Sequence, residues 1–339
     1  MPGWRGGHAN DAGHGNDAVT PPRQGWAPAW IEWRNGEPFV TWYYLGGAPL
    51  GEPFYDQTLQ HAQTPFNSLF AHRTDMAALA RWHEESQGLP PSGFIFHMSR
   101  CGSTLVSRML ASLPCHLVIS EAGPLDALAR SHPGTPIERR VAWFRSMISA
   151  LAQRRTGGET RCFVKFDSRT TLDLPFIRHA FPNVPWVFVY RDPAEVLASH
   201  LSNPAPAMIP GIVGRGGLDL PPALALAMAP EEYGARVLGR LCEAALGYLR
   251  EGGLPVNYTQ LPGAVGRDIA AHFGLRFSPR EADRMNDAAL FHAKFPEQRF
   301  EPDGDYKRRE LPPAAREAAA RWIEPHYEAL ERLRLSRVP

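Results

Sequence analysis

Residues 94–105 constrain the fold more than any other part of the chain. They begin as an apolar run, pass through a short glycine-containing turn and continue into an amphipathic segment over residues 105–113. A strand, a tight turn and a helix in direct succession predict an α/β domain with a parallel sheet. Such a turn directs backbone N–H groups and the positive end of the helix toward one point, which favours binding of a phosphate-like anion. Arg100 adds a positive charge there, and Ser103 and Thr104 add hydroxyl donors.

The turn differs from the Walker A loop that binds Mg-ATP. That loop has the pattern G-x-x-x-x-G-K-S/T, in which a lysine follows the second glycine. Here Gly102 is followed by Ser103, and the turn contains no lysine. The residues therefore disfavour an ordinary Mg-ATP site.

A second strand and helix supply a further candidate anion site. Residues 184–190 form an apolar run that predicts a buried strand, and Arg191 follows it directly. Asp192 is a suitable N-cap, and Pro193 suits the first position of a helix over residues 194–201. Ser199 lies about two turns into that helix. Arg191 and Ser199 can therefore reach one anion if the strand end and the helix face the same pocket.

Together the two segments resemble the signature sites of sulfotransferases that use 3′-phosphoadenosine 5′-phosphosulfate. In that family a loop with the pattern K/R-x-G-S/T-T binds the 5′-phosphosulfate. A later strand ends in the pattern R-D/N-P. The arginine of this pattern and a serine eight residues after it hold the 3′-phosphate. The resemblance covers about residues 93–335. It implies a P-loop-like parallel sheet flanked by helices, and a donor site formed by Arg100, Cys101, Gly102, Ser103, Thr104, Leu105, Arg191 and Ser199.

The pattern along the chain predicts three parts. Residues 1–25 read as a disordered tail, residues 26–90 as a small aromatic-rich segment with a hairpin at Asn35-Gly36, and residues 91–339 as the sulfotransferase-like domain. The predicted strands of that domain cover residues 94–97, 116–120, 162–166, 184–190 and 255–257. The predicted helices cover residues 74–87, 105–113, 139–154, 194–201, 231–250 and 314–335. Residues 203–230 lack clear periodicity and predict a loop or short helical insert over the site.

Transfer of a sulfuryl group requires charge stabilisation on the donor and a proton acceptor for the hydroxyl or amine that is sulfated. Arg100 can supply the charge, although the family commonly has Lys there, and Arg is a poorer proton donor. Glu121 follows the strand over residues 116–120, where ligands of open α/β sheets gather, and is the predicted general base. His97 and His200 are the alternatives; His97 suits a core position, and His200 suits a solvated helix position.

Two lysines complete the predicted site. Lys165 interrupts an apolar strand, where burial without an anionic partner would be costly. It is predicted either to contact the sulfate or acceptor, in a catalytic role, or to form a structural ion pair. Lys307 belongs to a basic cluster that matches a late basic segment of the family, which closes over the 3′-phosphate. The alternative for Lys307 is a solvated charged run before the last helix.

Composition limits the partners. The formal net charge of +1 over 339 residues gives no general attraction to nucleic acid or to anionic membranes, and no apolar run approaches a membrane span. Four cysteines without metal-ligand spacing favour a reducing, cytoplasmic location and no metal cofactor. The expected partner is a small-molecule acceptor, whose identity the sequence leaves open together with the oligomeric state. A P-loop small-molecule kinase and a catalytically inactive nucleotide-binding protein are the alternative functions.

Overall fold

The structure is a computed structural model that describes residues 24–130, 134–210, 220–292, 295–299 and 304–337. The predicted disordered tail, except for its last two residues, lies outside these ranges. So does the middle of the predicted insert over residues 203–230. Of that insert, the structure describes a short 3₁₀ helix at Pro206–Met208 and an α-helix at Pro222–Ala227.

The strands alternate with helices after residue 90, as predicted. The strands are β1 Trp26–Arg34, β2 Glu37–Tyr44, β3 His72–Asp75, β4 Pro91–His97, β5 His116–Ser120, β6 Arg161–Lys165, β7 Trp186–Tyr190, β8 Gly253–Asn257, β9 Phe291–His292 and β10 Phe295–Arg299. The helices are α1 Tyr55–His61, α2 Pro65–Phe70, α3 Met76–Glu85, α4 Ser103–Ala111, α5 Gly123–Ala129, α6 Ile137–Leu151, α7 Leu174–Ala180, α8 Pro193–Ser202, α9 Pro222–Ala227, α10 Pro230–Leu249, α11 Ala270–His272, α12 Pro279–Ala289, α13 Gly304–Glu310, α14 Pro313–Trp322 and α15 Glu324–Leu335.

The central sheet has five parallel strands in the order β5-β6-β4-β7-β8. The four strands β4 to β7 are almost entirely buried, which explains why they read as continuous apolar runs rather than alternating ones. The chain passes from β4 outward to β5, returns through β6 and then crosses to β7 on the other side of β4. Ligands of such sheets bind beyond the carboxyl ends of the strands at this reversal. The predicted fold class, an α/β P-loop-like sheet flanked by helices, is confirmed.

The aromatic-rich segment forms an antiparallel sheet of β1, β2 and β3. The predicted hairpin is present: Asn35 and Gly36 both have positive φ angles, of 50° and 81°, as a two-residue turn of this type requires. Trp42 is fully buried and donates a hydrogen bond from Nε1 to Thr74 Oγ1 at 2.9 Å. The buried side chains of this sheet belong to one hydrophobic core that also includes the central sheet.

One helix prediction was wrong. Residues 314–335 do not form a single helix, because α14 ends at Trp322 and α15 starts at Glu324. Pro325 lacks the N–H that would continue the hydrogen-bond ladder, and Ile323 between the helices has a φ of −110°. Pro325 is the local sequence signal for this break between the two helices. Among the described residues no helix is long and apolar enough to cross a membrane.

Candidate active site

A cavity of about 720 Å³ lies at the carboxyl ends of the parallel strands. Its wall includes residues that directly follow four of the strands. Ser99 and Arg100 come after β4, Glu121 after β5, Arg191 after β7 and Tyr258 after β8. The sheet therefore brings to one place side chains that lie far apart in the sequence. All the predicted donor-binding residues line this cavity, namely Arg100, Cys101, Gly102, Ser103, Thr104, Leu105, Arg191, Ser199 and Lys307.

The loop after β4 has an unusual backbone conformation. Ser99, Arg100 and Gly102 have φ angles of 77°, 51° and 88°, which lie in the left-handed region. Non-glycine residues occupy this region only when the surroundings enforce it, and such strain concentrates at binding sites. A Cβ on Gly102 would lie 2.7 Å from Tyr258 Cδ2, so only glycine fits there. Gly102 is also the N-cap of α4, whose first turn contains the buried Ser103 and Thr104.

Within this loop the side chains of Arg100 and Cys101 point to different partners. Arg100 donates from Nη2 to the carbonyl oxygen of Asn203 at 2.9 Å, which attaches the loop to the end of α8. Cys101 is fully buried, and its Sγ donates to the carbonyl oxygen of Val189 at 3.0 Å. Burial raises the pKa of the Cys101 thiol to about 12, so it stays protonated at neutral pH. The side chain of Cys101 thus packs on the sheet.

Arg191, at the end of the neighbouring strand β7, is 8% exposed and is held by Glu195, Tyr258 and Met98. Its Nε donates to Glu195 Oε2 at 2.5 Å, its Cζ lies 4.1 Å from the centre of the Tyr258 ring, and its backbone N–H donates to Met98 Sδ at 3.3 Å. The predicted N-cap of α8 is confirmed, since Asp192 accepts a hydrogen bond from the backbone N–H of Glu195 at 3.1 Å.

Glu121, Lys165 and His97 form a cluster beneath the cavity. Glu121 Oε1 pairs with Lys165 Nζ and lies 3.4 Å from His97 Nε2. Lys165 is fully buried and is not part of the cavity wall, whereas Glu121 keeps 21% of its side chain exposed. Of the two predicted roles of Lys165, the structure shows the ion pair, which joins Lys165 to Glu121.

The charge state of Glu121 follows from these neighbours. Burial alone would raise its pKa, but the positive charge of Lys165, with a smaller contribution from the nearby His97, outweighs burial and holds the pKa well below its usual value. Glu121 is therefore a carboxylate throughout the neutral range. Its backbone φ of 52° is also left-handed, and its N–H donates to the carbonyl oxygen of Lys165 at 2.7 Å. These contacts fix the carboxylate at the cavity wall.

His97 is poorly suited to accept a proton. Its Nδ1 accepts a hydrogen bond from the backbone N–H of Ser99 at 3.0 Å, so Nε2 carries the ring hydrogen and donates to the carbonyl oxygen of Phe166 at 3.0 Å. Burial lowers the pKa of His97, which keeps the ring neutral. Both nitrogens are thus engaged. His200, expected at a solvated position, is instead 2% exposed, because its face of α8 packs into the core.

Several residues of the site were not predicted. Glu195 lies four residues after Arg191, a spacing that could have indicated an ion pair on the helix. Tyr258 directly follows β8, and that position could have indicated a residue at the binding edge. Phe54 also lines the cavity. The Phe54 ring lies 5.1 Å from Lys165 Nζ, a contact between the N-terminal segment and the site that no sequence pattern indicated.

No family model and no curated protein matches the chain. Among solved structures it resembles a sulfotransferase from Alicyclobacillus acidocaldarius, with 18% identity over 72% of this chain and 96% of that one and a TM-score of 0.44. It also resembles the sulfotransferase domain of the Synechococcus PCC 7002 olefin synthase, with 16% identity over 74% and 96% of the two chains and a TM-score of 0.40.

A third solved structure is a retinol dehydratase in a complex with retinol and PAP. It is 14% identical, covers 76% of this chain and 88% of that one, and has a TM-score of 0.37. Identities below 20% and TM-scores below 0.5 carry no argument about activity. The function therefore depends on what the residues of the cavity can bind and do.

Proposed function

We propose that the protein is a sulfotransferase that transfers a sulfuryl group from 3′-phosphoadenosine 5′-phosphosulfate to a hydroxyl or amine of a small molecule. The observation that carries this proposal is that one cavity is lined by two groups of residues suited to bind anions and by a carboxylate. The loop from Ser99 to Thr104 forms the first group, Arg191, Ser199 and Lys307 form the second, and Glu121 lines the same cavity. A donor that carries charged groups at both the 3′ and the 5′ position of its ribose requires two such groups of residues.

The residues present fit that donor. The left-handed loop and the N-terminal turn of α4 can hold the phosphosulfate through backbone N–H groups and the hydroxyls of Ser103 and Thr104. Arg191 and Ser199 can hold the 3′-phosphate, because a guanidinium pairs well with phosphate oxygens. Lys307 lines the same cavity and can add a second charge.

When bound, the donor supplies an activated sulfuryl group, and the protein must prepare the acceptor. Glu121 is ionised at neutral pH and can accept the acceptor's proton. Its low pKa makes it a weak base, so we expect the transfer to occur late, when bonding to sulfur has made the acceptor's hydroxyl acidic. Arg100, at the donor loop, can stabilise charge on the leaving group.

The reaction is tested by incubating the purified protein with radiolabelled donor and a pool of cell metabolites, and identifying the labelled product. Binding is tested separately through the melting temperature, because a ligand of the native state stabilises it by mass action. We expect 3′-phosphoadenosine 5′-phosphate to raise the melting temperature much more than ATP with Mg²⁺ does. A larger effect of ATP with Mg²⁺ would favour a kinase, and donor binding without a labelled product in any pool would favour an inactive nucleotide-binding protein.

A further inference from the structure

Glu195 is a buried carboxylate that lies between two guanidinium groups. It is 6% exposed, in the first turn of α8. Its Oε2 accepts hydrogen bonds from Nε and Nη2 of Arg191, and its Oε1 accepts one from Nη1 of Arg308. A carboxylate at this depth is costly to desolvate unless charged donors satisfy it. The two carboxylate oxygens of Glu195 thus bind two different segments of the chain, the end of β7 and α13.

The first partner, Arg191, belongs to the proposed 3′-phosphate site. Glu195 fixes one edge of its guanidinium, while the ring of Tyr258 supports its face. Tyr258 in turn lies against the anion loop, at the position where Gly102 leaves no room for a Cβ. The orientation of Arg191 is therefore connected, through Tyr258, with the shape of the loop that follows β4.

The second partner, Arg308, lies in α13, which packs against α8. The preceding residue is Lys307, which lines the cavity. The side chain of Arg308 is 46% exposed, so α13 lies at the surface. The ion pair of Arg308 with the buried Glu195 attaches α13 to α8. The same carboxylate thus orients Arg191 and attaches the helix that presents Lys307.

We infer that Glu195 is a positioning residue that couples the seating of α13 to the orientation of Arg191, so that the 3′-phosphate end of the site assembles as a unit. This inference rests on the proposed function, since it concerns the nucleotide that the cavity would hold. A residue with only a structural role would change stability without changing which nucleotide binds. Glu195 should instead affect the contribution of the 3′-phosphate to affinity.

The test is a double-mutant cycle on nucleotide affinity. Calorimetry would give the Kd of 3′-phosphoadenosine 5′-phosphate for the wild type, Glu195→Gln, Arg308→Ala and the double variant. We expect each single variant to weaken binding by about 10-fold, as for a lost charge-assisted contact. We expect the double variant to lose little more than either single variant, because both remove the same link. Affinity for adenosine 5′-phosphate, which lacks the 3′-phosphate, should change by less than about 2-fold.

A matched control comes from the exposed ion pair of Arg240 with Glu243 on α10, whose side chains are 48% and 51% exposed. Glu243→Gln and Arg240→Ala should leave the Kd unchanged. A second readout is proteolysis near α13, which bound nucleotide should suppress in the wild type and much less in Glu195→Gln. If Glu195→Gln does not fold, Glu195→Asp keeps the charge but shortens the side chain, and it should still weaken the 3′-phosphate contribution.

Two results would overturn the inference while leaving the proposed function intact. One is a double variant whose loss equals the product of the single losses, since Glu195 would then not join Arg308 to the site. The other is unchanged nucleotide affinity in Glu195→Gln or Glu195→Asp, while Arg191→Ala loses binding. Failure of the wild type to distinguish the two nucleotides would instead refute the 3′-phosphate site itself, and the inference with it.

Discussion

Replacement of the buried Lys165 by methionine provides a quantitative test of the charge cluster. Lys165→Met keeps an unbranched apolar side chain one atom shorter than lysine but leaves Glu121 without its ion-pair partner. Removing one partner of a buried pair costs about 3–5 kcal/mol of unfolding free energy. Because Glu121 keeps 21% of its side chain exposed, water screens the remaining charge, and we expect a loss of about 3 kcal/mol at neutral pH.

The loss should depend on pH with a defined sign. In the wild type the pKa of Glu121 is depressed on folding, so its contribution to stability is present above the usual value of 4.5 and is lost as the pH falls toward the folded value. Lys165→Met removes the main cause of the depression while burial still raises the pKa, so Glu121 can be protonated at mildly acidic pH. The difference between the two proteins should therefore shrink to about 1 kcal/mol at low pH, the value for a lost neutral hydrogen bond.

Urea unfolding at several pH values measures this difference. The double variant Lys165→Met/Glu121→Gln should be more stable at neutral pH than Lys165→Met alone, because it leaves no unpaired charge. Arg240→Met, at the exposed pair with Glu243, is the control and should cost less than about 1 kcal/mol at any pH. A stability difference for Lys165→Met that stayed constant between neutral and acidic pH would refute the reasoning, since the ion pair would then not control the charge of Glu121.

Three further predictions concern the donor loop, the phosphate site and catalysis. Glu121→Gln should lower turnover by roughly 10²–10⁴-fold with donor affinity near wild type, which steady-state kinetics and calorimetry would separate; full activity would show that another group takes the proton. Arg191→Ala should weaken nucleotide binding by about 2–3 kcal/mol and Ser199→Ala by about 1 kcal/mol, so equal losses in calorimetry would count against their assignment. Gly102→Ala should cost about 1–3 kcal/mol of stability and most of the nucleotide affinity, because its Cβ would meet an aromatic ring at 2.7 Å. Gly157 also has a left-handed φ, of 86°, but a Cβ added there would meet no atom within 4 Å. Gly157→Ala therefore measures the cost of the backbone strain alone in the same unfolding assay.

The sequence predicted the parts of the fold that local patterns determine. The five core strands appear within a few residues of their predicted positions, because each is a buried apolar run between turn or helix signals. The hairpin at Asn35-Gly36 and the cap at Asp192 were predictable for the same local reason. The boundary residue Phe166 was misplaced by one position, since β6 ends at Lys165.

The arrangement within the site was less predictable, because it depends on contacts between distant segments. Nothing local indicates that Phe54 reaches Lys165, or that Arg308 meets Glu195 from more than a hundred residues away. The sequence does not decide between the two roles of Lys165, because a strand pattern shows neither the partner of the side chain nor how deeply it is buried. Domain limits at residue 90, the cytoplasmic location and the small-molecule acceptor remain predictions.

The central claim is that the cavity recognises both phosphates of a 3′-phosphorylated adenosine nucleotide. The most direct measurement is the ratio of Kd values for adenosine 5′-phosphate and 3′-phosphoadenosine 5′-phosphate, determined by calorimetry for the wild type and Arg191→Ala. We predict that the wild type prefers the bisphosphate by about 100-fold, as expected for a charge-assisted phosphate contact of about 2–3 kcal/mol, and that Arg191→Ala loses most of this preference. Equal affinities in the wild type, or a preference that survives in Arg191→Ala, would contradict the account.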